Sequence, residues 1–120
     1  MDTVLNPFTG KLQFLGASVI SINEQTDDYT LVLTDKDKLV DIDKATAVTL
    51  TVPANSSVAF PIGASILVEQ KGAGVITITP VDGTVILNNM EGLVTTGQYA
   101  IVALIKKATN LWLVYGNLGV

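Results

Sequence analysis

The chain lacks cysteine, histidine and arginine altogether, and each absence removes a class of chemistry. Without cysteine there is no disulfide and no thiolate metal site. Without histidine the chain has neither the most common general base nor the most common zinc ligand. Without arginine it cannot make the two-pronged guanidinium contact that often recognises phosphate or carboxylate groups. We therefore expect no enzyme activity, no cofactor and no bound metal.

Charge is also scarce, at only 15% of the 120 residues, where about 25% is usual. The net charge of −4 and the pI of about 4.4 argue against a nucleic-acid partner. Since no apolar run reaches the roughly 18 residues that a membrane span needs, no membrane partner is expected. Hydrophobic residues make up 48%, which predicts exposed apolar surface on a single chain and its burial in an assembly.

The clearest β pattern begins at Val48, where Val48, Leu50 and Val52 alternate with threonines. A period of two places apolar side chains on one face of a strand. Pro53 ends this strand because proline has no N–H to donate to a neighbouring strand. Further along, strands at Ser65–Gln70 and Val75–Thr79 flank a short glycine-bearing segment. That spacing predicts a hairpin.

About eight such strands, separated by turn signals and without a convincing helical period, predict an all-β fold. The expected architecture is an antiparallel β-sandwich or jelly roll with an extended N-terminal arm. The predicted domain covers residues 29–120. Residues 1–28 are predicted to be an arm or docking segment, because a turn-rich, irregular stretch opens the chain.

The arm admits two interpretations. It packs on its own domain as a strand, or it docks on another protein through apolar anchors, a role that suits aromatic side chains. The docking hypothesis involves Asn6, Pro7, Phe8, Thr9, Gly10, Lys11, Leu12 and Phe14.

The strand at Tyr99–Ile105 is apolar on both faces, which predicts that both are covered. One face is expected to lie in the core and the other against a neighbouring subunit. The residues assigned to a trimer interface or to the core are Tyr99, Ile101, Ala103, Ile105 and Trp112. An alternative role for Trp112, with Tyr99 and Tyr115, is an aromatic platform for a sugar, but a tryptophan sealing the core is favoured.

An acidic run, Asp35, Asp37, Asp41 and Asp43, invites a calcium interpretation. The spacing does not fit an EF-hand, because the glycine and glutamate that such a loop requires are absent from their positions. A solvated charged turn is the preferred interpretation. No serine or threonine has a histidine to activate it, which again argues against an enzyme.

A longer succession of segments resembles a β-module of tailed-bacteriophage virion proteins. The segments that carry the resemblance are Thr49-Leu50-Thr51-Val52-Pro53, Phe60-Pro61-Ile62-Gly63, Gln70-Lys71-Gly72-Ala73-Gly74, Gly97-Gln98-Tyr99-Ala100 and Leu111-Trp112-Leu113-Val114-Tyr115-Gly116-Asn117-Leu118. The module is similar to those of capsid decoration (cement) proteins, head fibres, and tail-fibre or neck-appendage proteins. The similarity covers residues 29–118.

The resemblance implies a homotrimer on the outer capsid surface of the virion, with the major capsid protein as its partner. The chain consists of little more than the module, without a fibrous shaft, which favours a cement protein over a tail fibre. In this role it stabilises the head by clamping capsid subunits. The alternative is a receptor- or carbohydrate-binding module of a tail fibre or neck appendage, with loops at 55–57 and 88–92 as candidate sites.

Overall fold

A computed structural model describes residues 19–120, which form eleven strands and one short 3-10 helix. The helix is Leu33–Asp35. The strands are β1 Ser21–Gln25, β2 Tyr29–Thr30, β3 Lys38–Ile42, β4 Val48–Val52, β5 Ser65–Gln70, β6 Ile76–Pro80, β7 Ile86–Asn88, β8 Val94–Thr95, β9 Ile101–Ala108, β10 Leu111–Gly116 and β11 Leu118–Gly119.

The strands form two sheets. Sheet A has six strands in the order β1-β3-β5-β9-β10-β7, and sheet B has five in the order β11-β8-β6-β4-β2. The all-β class is therefore confirmed, and the two sheets are compatible with a sandwich. In the first half of the described chain, consecutive strands alternate between the sheets. Strands β1, β3 and β5 pair in parallel in sheet A, and β2, β4 and β6 do so in sheet B.

This alternation gives a solenoid-like stack, in which one coil consists of a strand in sheet A followed by a strand in sheet B. The prediction of antiparallel pairing is wrong for β1–β6. It is correct for the contacts of β9 with β5 and β10, and for those of β8 with β6 and β11. A jelly roll is not confirmed, because its connectivity does not include such a parallel stack.

The predicted hairpin between β5 and β6 is also wrong, because the two strands lie in different sheets. The glycines between them serve another purpose. A Cβ atom at Gly72 would overlap the backbone of Lys44, and one at Gly74 would overlap the carbonyl group of Thr46. The two corners therefore stack backbone against backbone, and only glycine permits so close an approach.

The core lies between the sheets and is filled by the alternating apolar residues. On β4, Val48, Leu50 and Val52 are buried as predicted, and the strand ends directly before Pro53. Trp112 of β10 is 1% exposed and meets Phe60 edge to face, with ring centroids 5.3 Å apart. Such an edge-to-face pair is a favourable arrangement of two aromatic rings.

A buried polar contact also joins the sheets. Gln70 of β5 is fully buried, and its Oε1 accepts a hydrogen bond of 2.5 Å from the hydroxyl of Thr95 on β8. The same hydroxyl oxygen accepts a bond of 2.8 Å from the backbone N–H of Ile76. Gln70 Nε2 donates to the carbonyl oxygen of Gly72 at 3.0 Å. Because these contacts satisfy both ends of the Gln70 amide, its burial is not costly.

The core is closed beside β1 and β2 by a hydrogen-bonded group that we call the polar end cluster: Asn23, Gln25, Tyr29 and Asp35. Asp35 is fully buried. It accepts hydrogen bonds from Asn23 Nδ2 at 2.8 Å, from the Tyr29 hydroxyl at 2.7 Å and from the Val32 N–H at 2.9 Å. Three donors compensate a carboxylate for its lost hydration.

Candidate interaction face of sheet A

One face of sheet A is turned away from the core, and it carries an uninterrupted apolar row across five strands. The strand register places Ile22 of β1 beside Leu39, Leu39 beside Leu67, Leu67 beside Ala103, and Ala103 beside Tyr115 of β10. With strands about 4.8 Å apart, the row is about 19 Å long. Together with Ile101, Ile105 and Leu113, which point the same way along β9 and β10, we call this surface the outer face.

Within residues 19–120, nothing covers the outer face. Ile22 is 57% exposed, Tyr115 50% and Leu67 36%. Along a strand of a sheet with one exposed face, apolar residues normally alternate with polar ones, and the polar side chains point to water. Here both faces of β9 are apolar over residues 101–105, and large exposed apolar patches mark interaction surfaces.

A groove of about 400 Å³ crosses this face. Ile20, Leu67, Ala103, Ile105 and Tyr115 supply its apolar lining. Asp37, Lys38 and Ser65 lie at its polar side, where the backbone N–H of Asp37 donates to the carbonyl oxygen of Ser65 at 2.8 Å. The groove is therefore an apolar depression bordered by a few charged groups, as in many protein interfaces.

One end of the outer face carries a row of carboxylates. Glu24 of β1 lies beside Asp41 of β3, and Asp41 lies beside Glu69 of β5. Burial, the charge of Asp41 and a hydrogen bond to it raise the pKa of Glu69, and the charge of Lys71 opposes this rise. Lys71 Nζ is 3.9 Å from Asp41 Oδ2, too long for a hydrogen bond.

A second unusual charge lies on the opposite side of sheet A. Lys106 of β9 is 2% exposed, and its ammonium group donates to Asn55 Oδ1 at 2.6 Å and to the carbonyl oxygen of Phe60 at 2.7 Å. Both partners are neutral, and burial lowers the pKa of Lys106. These contacts anchor the 55–60 loop to sheet A, so Lys106 has a structural role.

The residues predicted for a trimer interface or the core divide between the two locations. Trp112 lies in the core. Ile101, Ala103 and Ile105 lie on the outer face, and Tyr99, 64% exposed, lies just before β9. Along β9, Val102, Leu104 and Lys106 are buried and the side with Ile101, Ala103 and Ile105 is not, so cover of that second side by a neighbouring subunit stays a prediction.

The predicted docking residues of the arm, Asn6 to Lys11, Leu12 and Phe14, lie outside the described residues. The predicted arm extends to residue 28, and the structure places Ser21–Gln25 of that range in sheet A as β1. For Ser21–Gln25, the structure therefore agrees with the interpretation in which the arm packs on its own domain as a strand.

The acidic run does not form one solvated turn. Asp35 is fully buried in the polar end cluster and Asp41 is 7% exposed, whereas Asp37 and Asp43 are exposed. The solvated-turn interpretation is wrong for the two buried carboxylates, because hydrogen-bond donors or neighbouring side chains surround them. Within residues 19–120 no three acidic side chains are grouped so that they would hold a metal ion.

The aromatic platform does not form as a unit, because Trp112 lies in the core while Tyr99 and Tyr115 are exposed. Tyr115 also borders a second, smaller cavity of about 130 Å³, beside Met90 and Glu91. In the candidate loop 55–57, Asn55 Oδ1 accepts a hydrogen bond from Lys106 Nζ, and the backbone N–H of Asn55 donates to Asn110 Oδ1 at 2.7 Å.

Sequence reasoning missed Ile22, Leu39 and Leu67 as parts of the face. A local signal for Leu67 is present in the sequence, because Ile66 and Val68 flank it and make β5 apolar on both sides, as in β9.

Comparisons with protein-family models, with curated proteins and with solved structures found no match. No helix in residues 19–120 is long and apolar enough to span a bilayer.

Proposed function

We propose that this chain is a trimeric decoration (cement) protein of a tailed-bacteriophage capsid, bound to the outer surface of the head. The observation that supports it best is the outer face, whose apolar row from Ile22 to Tyr115 is left uncovered by the part of the chain that the structure describes. A closed ring of three copies covers such a face in every subunit and leaves no open, aggregating surface. The virion assignment itself rests on the resemblance of residues 29–118.

The proposed mechanism needs no reacting group. A cement protein acts by adding buried contact area between neighbouring capsid subunits, and permanent interfaces of this kind are largely apolar. The low charge content and the many apolar residues fit this demand. In the proposal, the folded β-domain forms the trimer, and the segment with Phe8, Leu12 and Phe14 grips the capsid.

The two parts of the proposal are tested together by sedimentation. Equilibrium sedimentation of the full chain is expected to give the mass of three copies, and the protein is expected to pellet with undecorated capsids in a fixed ratio. Deleting residues 1–15 is expected to abolish pelleting while the trimer and its β-type circular dichroism remain. A monomer that stays in the supernatant overturns the proposal, and normal binding of the truncated chain overturns the role of the arm.

A receptor- or carbohydrate-binding module is the second candidate. The exposed rings of Tyr99 and Tyr115 favour it, because sugars stack on accessible aromatic rings. A glycan array separates the candidates. Specific binding that Tyr115→Ala abolishes and Tyr29→Phe leaves intact supports this second function, and a blank array combined with capsid pelleting supports cement.

A further inference from the structure

Two carboxyl groups lie side by side where β3 meets β5. Asp41 and Glu69 are direct partners in the parallel register, so their side chains are neighbours on the same side of sheet A. Asp41 is 7% exposed, and its Oδ1 is fully buried without a hydrogen-bond donor. A buried carboxylate oxygen without a donor is costly.

A single proton shared between the two groups removes this cost. A protonated Glu69 supplies an O–H donor beside the Asp41 carboxylate, whose Oδ1 lacks one, and one negative charge replaces two. Like charges on neighbouring carboxyl groups disfavour double ionisation, as in other carboxyl pairs that hold one proton between them. Burial, and after it the charge of Asp41 and a hydrogen bond to Asp41, raise the pKa of Glu69.

The other groups around the pair do not replace that proton. Glu24 of β1 lies beside Asp41 and adds a third negative charge. Lys71 approaches Asp41 Oδ2, not Oδ1, at 3.9 Å, and its side chain is 49% exposed. On the far side of Glu69, β9 contributes Ile101, which has no charge.

The pair borders the outer face, and the apolar area of that face is more than half of what each partner contributes to a standard interface. From the exposed fractions of Ile20, Ile22, Leu67, Ile101 and Tyr115, the face offers roughly 500 Å² of apolar surface. With a polar rim, this approaches the ~800 Å² that each partner contributes to a standard interface. Because the chain has few charges with which to keep such a face in water, a second copy of the same chain is the fitting occupant.

We infer that a neighbouring copy of this chain covers the outer face, and that the Asp41–Glu69 pair holds one proton in the assembled state. The inference rests on the trimer of the proposed function, but not on the capsid. Covering the face removes water from Glu69, which favours its neutral form further. Assembly therefore takes up protons and is stronger in acid than in mild alkali.

The experiment measures the association constant of the full chain by equilibrium sedimentation at about pH 5 and about pH 8. The association constant is expected to be at least about tenfold larger at the lower pH. If assembly raises the pKa of Glu69 by one unit, the association constant changes tenfold for each proton taken up. Glu69→Gln provides a permanent amide donor for Asp41 Oδ1. This variant is expected to assemble equally well at both pH values.

Glu91→Gln is the matched control, because it makes the same chemical change in an exposed loop outside sheet A. It is expected to follow the wild type. A wild type that associates equally at both pH values overturns the inference, as does a pH dependence that persists in Glu69→Gln.

The covered face has its own test. Leu67→Glu is expected to give a monomer with an unchanged circular dichroism spectrum, whereas Ile62→Glu, at a site 68% exposed outside the face, is expected to assemble normally. Assembly of Leu67→Glu, or a wild type that is monomeric at both pH values, overturns the inference. Capsid pelleting tests the proposed function separately, because a pH-dependent oligomer that ignores capsids upholds this inference and defeats the cement proposal.

Discussion

The hydroxyl group of Tyr29 donates a hydrogen bond of 2.7 Å to Oδ2 of Asp35, and this contact joins the second strand to the short helix that follows it. Asn23 of β1 contacts both groups, since its Nδ2 donates to the Tyr29 hydroxyl oxygen at 2.9 Å and to Asp35 Oδ1 at 2.8 Å. Beside the first coil, these polar side chains therefore satisfy one another and hold β1, β2 and the short helix together.

Tyr29→Phe tests this contact. Removing the hydroxyl deprives the buried Asp35 of a donor and is expected to lower the free energy of unfolding by about 1–3 kcal/mol at neutral pH. Burial, together with the hydrogen bond to Asp35 and its charge, raises the pKa of Tyr29 to about 12. Since the unfolded tyrosine ionises near pH 10, this residue makes the wild type lose stability as the pH rises above about 10.

That alkaline loss is expected to be absent from Tyr29→Phe and present in Tyr99→Phe, whose ring is exposed. Denaturant titrations at neutral pH and at about pH 11 give the comparison. Equal alkaline losses in the wild type and Tyr29→Phe contradict the assignment.

Gly74→Ala tests the stacking of successive coils. A Cβ atom at this position overlaps the Thr46 carbonyl group, so the two corners must separate. We expect a loss of more than about 1 kcal/mol in the free energy of unfolding. Gly83→Ala is the matched control, because a Cβ atom there has no neighbour within 4 Å. Similar stabilities of the two variants in chemical denaturation would show that the corners do not touch.

Lys106 gives a second dependence on pH, with the opposite sign to that of Tyr29. Burial lowers its pKa in the folded state, so the unfolded chain holds the extra proton. Stability from this residue therefore rises as the pH increases from the lowered value towards the ordinary one of about 10.4. Lys106→Met is expected to remove this rise, and Lys107→Met, at the neighbouring exposed lysine, is expected to retain it. The slope of unfolding free energy against pH is the measurement.

Phe60→Ala probes the packing around Trp112. The variant removes a ring that is 3% exposed and packs edge to face against the indole. The cavity that this substitution leaves is expected to lower the free energy of unfolding by about 3–5 kcal/mol. Because Trp112 is the only tryptophan of the chain, its emission reports the site directly and is expected to shift to longer wavelength. Unchanged emission and stability would contradict the contact.

The burial of individual residues was largely predictable from the sequence, and strand pairing was not. Val48, Leu50 and Val52 face the core as their alternation predicts. Alternation has the same period in parallel and antiparallel strands, so it carries no information on direction or on which sheet a strand joins. Gly72 and Gly74 led to the wrong prediction of a hairpin between β5 and β6, because glycine occurs both in tight turns and at close backbone contacts.

The candidate site was predictable in part. The apolar character of both sides of β9 and the low charge content pointed to an uncovered face, and Ile101, Ala103 and Ile105 lie there. The pairing of Asp41 with Glu69 was not accessible, because it depends on a register between residues far apart in the sequence. No local pattern at either residue distinguishes a lone surface carboxylate from one with such a partner.

The spacing between stacked strands has a consequence for the length of the molecule. Leu39 pairs with Leu67 in sheet A, and Leu50 pairs with Ile78 in sheet B, so both sheets advance by 28 residues in this step. An additional coil of that size, inserted between β4 and β5, adds one strand to each sheet and leaves the strands from β5 onward as they are. Each insertion lengthens the stack by about 4.8 Å. The number of coils therefore sets the length of the stack.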